Sequence, residues 1–211
     1  MSHLLHLDAS LRTTESRSRT LSARFADGWR AAHPGGTVTY RDLSADPIPH
    51  LDEPAYSSLF VPAEERSAEQ HAARAFGDPF IEELRAADTV VIGLPLQNFG
   101  PPSTFLAWLD RITAPSTIGA LGDTRFVFAT ASGGAYGPGT PREGWDHREP
   151  LVRHVLEFLG ATDVSFVNVE LTLARVSPQM IPLDLGAEED RSFQAGLDAI
   201  DALAASGSLV A

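Results

Sequence analysis

Residues His3–Leu21 read H-L-L-H-L-D-A-S-L-R-T-T-E-S-R-S-R-T-L. The run Leu4–Leu7 is short and mostly apolar, as expected of a strand buried on both faces, and it stops at Asp8-Ala9-Ser10. A polar loop follows, in which Ser10, Thr13, Thr14, Ser16 and Ser18 offer hydroxyls and Arg12, Arg17 and Arg19 add positive charge. A helix comes next, with Leu21, Phe25 and Trp29 on one face and His33-Pro34-Gly35-Gly36 at its end. Free N–H groups and the dipole favour an anion at the start of a helix, so strand, hydroxyl loop and helix together have the build of a phosphate site. Taken alone, the segment is equally readable as a serine-rich turn that caps its helix. It contains neither G-x-x-x-x-G-K nor G-x-G-x-x-G, so a monophosphate fits better than a nucleoside triphosphate or a dinucleotide.

The 211 residues suit one large α/β domain, and a single domain over 1–211 is expected. No apolar run approaches the ~18 residues of a membrane span, and residues 1–20 lack the basic start and apolar core of a signal peptide. A cytoplasmic location is therefore expected, with no membrane partner. The absence of cysteine excludes disulfides, thiolate metal sites and cysteine nucleophiles. All 16 basic residues are arginine, which removes Schiff-base chemistry and lysine general bases. A net charge of -12 repels phosphodiester backbones, so nucleic acid is not an expected partner, and the basic loop Arg12–Arg19 stands out against that background.

Along the chain, Thr37–Leu43 reads as an edge strand, Asp46–Leu51 as a proline-held loop, and Glu64–Ala75 and Pro79–Ala86 as two helical pieces. Asp88–Leu94 is a β-branched run that belongs at the centre of a sheet. After it come the rigid loop Pro95–Pro102, a helix from Ser103, a strand Arg125–Ala131, and the loop Ser132–Gly139. A helix Pro150–Leu159, a strand Val164–Val169 and a helix Glu188–Ala204 complete the chain. Five strands alternating with helices predict a parallel, doubly wound sheet in a three-layer αβα sandwich, with ligands at the carboxyl ends of the strands. The loops at those ends after strands one, three and four carry the hydroxyls, Pro95–Pro102 and the glycine pair. A phosphate at the first and a flat ring between the other two describe flavin mononucleotide (FMN) in a flavodoxin-like fold.

At these positions the chain resembles the FMN-dependent NADH azoreductase and NAD(P)H quinone reductase family, nearly end to end. The resemblance rests on Ser16-Arg17-Ser18, Arg41-Asp42-Leu43 with Asp46-Pro47-Ile48-Pro49, and Pro95–Phe99 with Pro102-Ser103-Thr104 and Trp108-Leu109-Asp110. It continues through Gly133-Gly134 with Tyr136, and Asp146-His147-x-Glu149-Pro150 leading to Phe158-Leu159-Gly160. It implies that Ser10, Ser16, Arg17 and Ser18 contact the phosphate and ribityl chain. Pro95, Leu96, Gln97, Asn98 and Phe99 would line one side of the ring, with Ser132, Gly133, Gly134 and Tyr136 at its pyrimidine end. It further implies NADH or NADPH as donor, a quinone, azo or related conjugated acceptor, a ping-pong cycle, and a homodimer with active sites at the interface.

Flavin chemistry needs no catalytic acid from the protein; Tyr136 and His147 are the side chains near enough in sequence to assist. The chain departs from the family at Leu96-Gln97, where Met-Tyr is usual, at Ala131-Ser132, where Ser-Arg is usual, and at Leu106 in place of a lysine. The loop 111–124 is short and the segment 171–186 long. These changes leave open a reductase with a dedicated biosynthetic substrate, and a flavodoxin-type electron carrier that does not use NADH is the alternative from another class. No metal is expected, since His3 and His6 point to opposite faces of a strand. The apolar, proline-stiffened Leu171–Gly186 is expected to form part of the substrate wall or the dimer interface.

Overall fold

The computed structural model describes residues 2–206. Five strands, β1 (His3–Asp8), β2 (Thr37–Asp42), β3 (Thr89–Pro95), β4 (Arg125–Ala131) and β5 (Asp163–Val169), form one sheet in the order β2-β1-β3-β4-β5, and all four pairings are parallel. This is the flavodoxin-like, three-layer α/β arrangement that the alternation of elements predicts. β2 lies at an edge and β3 at the centre, as their compositions require.

Period-two alternation divides the core between the two faces of the sheet. Leu5, Leu7, Val90, Ile92, Phe126 and Phe128 point to one side, where α3 (Ala68–Ala86), α4 (Ser103–Ile112) and α5 (Arg148–Phe158) cover them with Phe80, Leu84, Phe105, Trp108, Val152 and Leu156. Leu4, Val91, Val127, Ala129 and Val167 point to the other, under α1 (Arg17–Ala32) and α6 (Gly186–Ala205) with Leu21, Phe25, Trp29 and Ile200. The central strands therefore read as unbroken apolar runs because both faces are covered.

One local expectation is corrected, and one short element is unexpected. The pieces Glu64–Ala75 and Pro79–Ala86 are not separate: α3 runs through Pro79, after a 3₁₀ turn at Ala63–Glu65. A complete Ser67–Gln70 capping box starts α3, and Phe80, Ile81 and Leu84 bury its far half, which offsets the backbone hydrogen bond that proline removes. A short helix, α2 (Glu53–Ser57), occupies a stretch without a sequence assignment; Asp52 caps it and Pro54 stands in its first turn.

The chain winds outward from β1 to β2, then crosses back to β3 and proceeds to β4 and β5. The switch point thus lies between β1 and β3, where loops leave in opposite directions and open a crevice. Gly93 permits the close approach there: a Cβ on it would stand 2.1 Å from Asp8 Oδ1 and 2.9 Å from Ser22 Oγ.

Candidate functional site

At the end of β1 the Ala9 N–H donates to the Gly93 carbonyl (3.0 Å) and the chain turns into the hydroxyl loop. Ser16 caps α1, its Oγ accepting from the Arg19 N–H, with Glu15 in the left-handed region just before it (φ 54°). The Ser16 hydroxyl donates to Ser10 Oγ (2.9 Å) and lies 3.3 Å from Ser18 Oγ; all three side chains are buried. Three hydroxyls thus converge on the first turn of α1, whose leading N–H groups have no intrahelical acceptor. The cluster is suited to the oxygens of a phosphate monoester, which can accept from several hydroxyl and N–H donors at once.

Two of the loop's three arginines are otherwise engaged, while Arg12, half-exposed at the cleft, meets only the exposed Glu15 at 3.4 Å. Arg19 turns inward, donating twice to Asp42 (2.7 and 2.8 Å) and once to the Ser10 carbonyl (2.6 Å). That fork holds the Asp42 carboxyl below its usual pKa range. Arg17 lines the cleft, but its guanidinium pairs with the buried Glu189 of α6 (3.2 Å) and stands 4.1 Å over the Phe193 ring. Beneath the loop, Asp8 accepts from Ser22 Oγ (2.7 Å) and Tyr40 OH (3.1 Å); burial pushes its carboxyl up to about 6. His6 Nε2 is 3.6 Å from Asp8, yet burial lowers His6 to about 4, so this is a contact of a neutral imidazole rather than an ion pair at neutral pH.

The loop after β3 folds back on itself. Gln97 and Gly100 exchange both backbone hydrogen bonds (2.8 and 3.0 Å), and the two residues between them, Asn98 and Phe99, both have positive φ (48° and 65°). Two central residues at positive φ are the mark of a type I′ turn; asparagine tolerates it, whereas phenylalanine there is uncommon. Phe99 is held by the rest of the site: its carbonyl accepts from the His147 N–H (2.9 Å), and its ring meets Tyr136 and Trp145 edge-on, at 6.3 and 5.4 Å between centroids.

After β4, the glycine loop is paired by the chain leaving β5. Thr172 N–H donates to the Ser132 carbonyl, Leu173 N–H to that of Gly133, and Leu171 N–H to that of Gly134 (3.1, 3.2 and 3.3 Å). At Gly133 a Cβ would lie 2.6 Å from Leu173 Cδ1, so a side chain there would push the Leu173 tip aside; a Cβ on Gly134 meets nothing closer than 3.7 Å. Tyr136 N–H donates to Glu170 Oε1 (2.8 Å).

Together these loops enclose a cleft of about 230 Å³ at the switch point. Of the residues expected there, Ser10, Ser16, Arg17, Ser18, Pro95, Leu96, Gln97 and Gly133 line it. Asn98 and Phe99 form the turn beyond Gln97. Ser132 and Tyr136 line a neighbouring cavity of about 510 Å³, and His147, just before α5, adjoins the Phe99 carbonyl. Thr172 and Leu173 complete the cleft wall, so the head of the 171–186 segment reaches the site. Farther along the segment Val176, Ile181 and Leu183 are exposed, whereas Ala174 is buried and Met180 and Leu185 are half-buried.

A model of the flavodoxin-like fold matches residues 2–183. An FMN-dependent NADH:quinone oxidoreductase of Frankia casuarinae is 49% identical over 188 residues, spanning 85% of this chain and 89% of its own. The chain belongs to the FMN-dependent NADH:quinone oxidoreductase family. A relative of the same name from Frankia alni is 47% identical and covers 97% of this chain and all of its own. An azoreductase from Bacillus anthracis superposes with a TM-score of 0.84 over 97% of this chain and 99% of that one; at 24% identity it speaks for the fold alone.

Within this family membership, several lining residues had no distinct local signal. Leu11, Arg12 and Glu15 sit inside the recognised loop, but Thr172 and Leu173 lie past β5 and reach the cleft only through the pairing with the glycine loop. Glu170, which anchors Tyr136, is likewise a long-range partner. Among the described residues, no helix is long and apolar enough to cross a membrane.

Proposed function

We propose that the chain is an FMN-dependent oxidoreductase that accepts hydride from NADH or NADPH and passes the electrons to a quinone, azo or related conjugated acceptor, donor and acceptor binding in turn. The observation that carries this reading is the convergence of the Ser10–Ser16–Ser18 cradle, the backbone of Pro95–Gln97 and the glycine loop on one cleft. Names of relatives nearly half identical to the chain support the same cofactor and donor.

Bound FMN supplies the two-electron redox chemistry, and the protein supplies binding, orientation and dipoles. The serine hydroxyls and the first N–H groups of α1 hold the phosphate. Leu96–Phe99 would hold one side of the ring, and Ser132, Gly133, Gly134 and Tyr136 would stand at the pyrimidine end. The His147 N–H, at the entry to α5, donates to the Phe99 carbonyl and so helps to hold the Asn98–Phe99 turn. Leu173 closes the cleft on the side of the 171–186 segment.

The reading includes a homodimer in which the partner subunit contributes a second wall to the cleft. The exposed Phe99 and Trp145, and Val176, Ile181 and Leu183 farther along, supply apolar surface for that wall.

The test is an anaerobic titration of the FMN-loaded protein with NADH. Bleaching of the flavin absorbance at one equivalent, and its return on adding a benzoquinone, are expected. A flavin that binds but is not reduced by NADH or NADPH would place the protein among electron carriers instead.

A further inference from the structure

The roles above leave one buried charge unexplained. Arg148, the first residue of α5, is 2% exposed. One terminal nitrogen donates to the Leu94 carbonyl (3.1 Å) and the Ala131 carbonyl (3.3 Å); the other donates to Asp146 (2.7 Å) and Asn168 Oδ1 (3.4 Å). Its Nε is buried without a partner. Desolvation lowers its pKa, opposed chiefly by Asp146, but a guanidinium remains protonated throughout the working pH range. The Asp146 side chain is 21% exposed, so water screens the counter-charge more than it screens the cation. A buried ion pair is by itself weak evidence of a stabilising role, since replacing both partners of such a pair with apolar side chains is often neutral.

The location suggests another reason. Leu94 is followed by the loop Pro95–Phe99 and Ala131 by Ser132–Gly134, so Arg148 joins the two strand ends from which both ring-facing loops leave. The Ala131 carbonyl also accepts from the Leu96 N–H (2.7 Å), and Pro95, Leu96 and Ala131 themselves line the cleft. The guanidinium thus lies one backbone layer behind the cleft, on the side of the neighbouring cavity that Ser132 and Tyr136 line. Glu149, Glu170, Arg153 and His154 line the same cavity; Glu149 is paired with Arg153, whereas Glu170, which accepts from the neutral Tyr136 N–H, keeps its negative charge and with Glu149 adds to the opposition that Asp146 offers.

We infer that Arg148 is a positioning and redox-tuning residue: it locks the carboxyl ends of β3 and β4 together, and its buried positive charge favours the electron-rich, reduced form of a ring held between the two loops more than an uncharged side chain there would. The inference rests on the FMN reading given above. A fixed positive charge in a weakly screened interior stabilises added negative charge on a nearby ring more than it stabilises the oxidised ring. A purely structural clamp would change the affinity for both redox forms alike.

The experiment measures the midpoint potential of bound FMN, alongside the dissociation constant of oxidised FMN, in wild type, Arg148→Met, Arg148→Lys and Asp146→Asn. Arg148→Met is expected to lower the preference for reduced over oxidised FMN by at least about tenfold, or about 30 mV downward for a two-electron couple. Arg148→Lys should recover most of that loss. Asp146→Asn keeps the oxygen that accepts the Arg148 main-chain N–H (2.8 Å) but replaces the oxygen that accepts from the guanidinium (2.7 Å) and removes the counter-charge, so it should shift the potential upward. Should Arg148→Met fail to fold, the lysine and asparagine variants carry the test. Potentials that match wild type while FMN stays bound, or a downward shift in Asp146→Asn, overturn the inference and leave Arg148 a clamp. Failure of the wild type to bind FMN overturns the functional reading on which it stands.

Discussion

Asp8 lies beneath the candidate phosphate cradle, and replacing it tests whether burial or its arginine neighbour controls the charge there. The carboxyl is 3% exposed, accepts from Ser22 Oγ and Tyr40 OH, and lies 3.6 Å from Arg19, but Arg19 commits its fork to Asp42. Desolvation therefore dominates and raises the pKa from 3.8 to about 6. The folded state then holds its proton over a pH range in which the unfolded state has lost it, so this contribution to stability is complete below about pH 4 and is lost as pH rises through 6. A shift of about two units corresponds to about 3 kcal/mol. Asp8→Asn has no such proton to lose. In urea denaturation between pH 4 and 8, the variant should gain on wild type by about 3 kcal/mol between pH 4 and 6, and the difference should then level off. A wild type that gains on Asp8→Asn over the same range would show that Arg19 outweighs burial and refute the argument.

Ser18→Asp sets a carboxylate among the cradle hydroxyls; at ~4 Å and an effective dielectric of ~20, repulsion of even one phosphate charge is ~4 kcal/mol, so FMN affinity measured by fluorescence quenching should fall roughly a thousandfold. Gly93→Ala drives a Cβ against Asp8 Oδ1 and Ser22 Oγ and should destabilise the fold by about 3 kcal/mol, lowering Tm by roughly 6–12 °C in a calorimetric scan. FMN affinity should depend only weakly on ionic strength, because Arg17 and Arg19 are already paired with acidic side chains; a steep loss between 50 and 500 mM salt (roughly, Debye lengths of 14 and 4 Å) would show free cations at the phosphate.

The strands were legible because both faces of the sheet are covered: Thr89–Pro95 is a β-branched run that suits little but a central strand, and its alternate residues do go to opposite cores. Pro79 misled because its local effect is real, while the burial of Phe80, Ile81 and Leu84 that outweighs it is tertiary. The helix at Glu53–Ser57 did carry a signal, an aspartate cap with proline in the first turn, in a stretch too short for apolar periodicity. In the site, the serine cradle was readable because it interrupts an apolar strand with a run of hydroxyls. The direction of Arg17 was not, since it depends on Glu189, 172 positions away in the chain, and the same holds for Leu173 against Gly133 and for Arg148 between Leu94 and Ala131.

These long-range contacts share a consequence for how the cleft attracts a ligand. From below, Arg19 ties the Ser10 carbonyl to Asp42, and Ser22 ties α1 to Asp8. From the side, Glu189, 5% exposed, pairs with both Arg17 and Arg175 and joins α6 to the loop. The charges of Arg17 and Arg19 are thereby spent on holding backbone and helix in place, and on the reading proposed above a bound anion would be left chiefly to the hydroxyls and N–H groups of Ser10, Ser16, Ser18 and the first turn of α1, with Arg12 at the rim. Donors fixed in advance lose little conformational freedom when they bind, and they select by geometry where free arginines would select by charge alone. In a chain of net charge -12, with the Arg12–Arg19 loop as its basic exception, such a cradle discriminates a phosphate monoester from other anions by the placement of its oxygens.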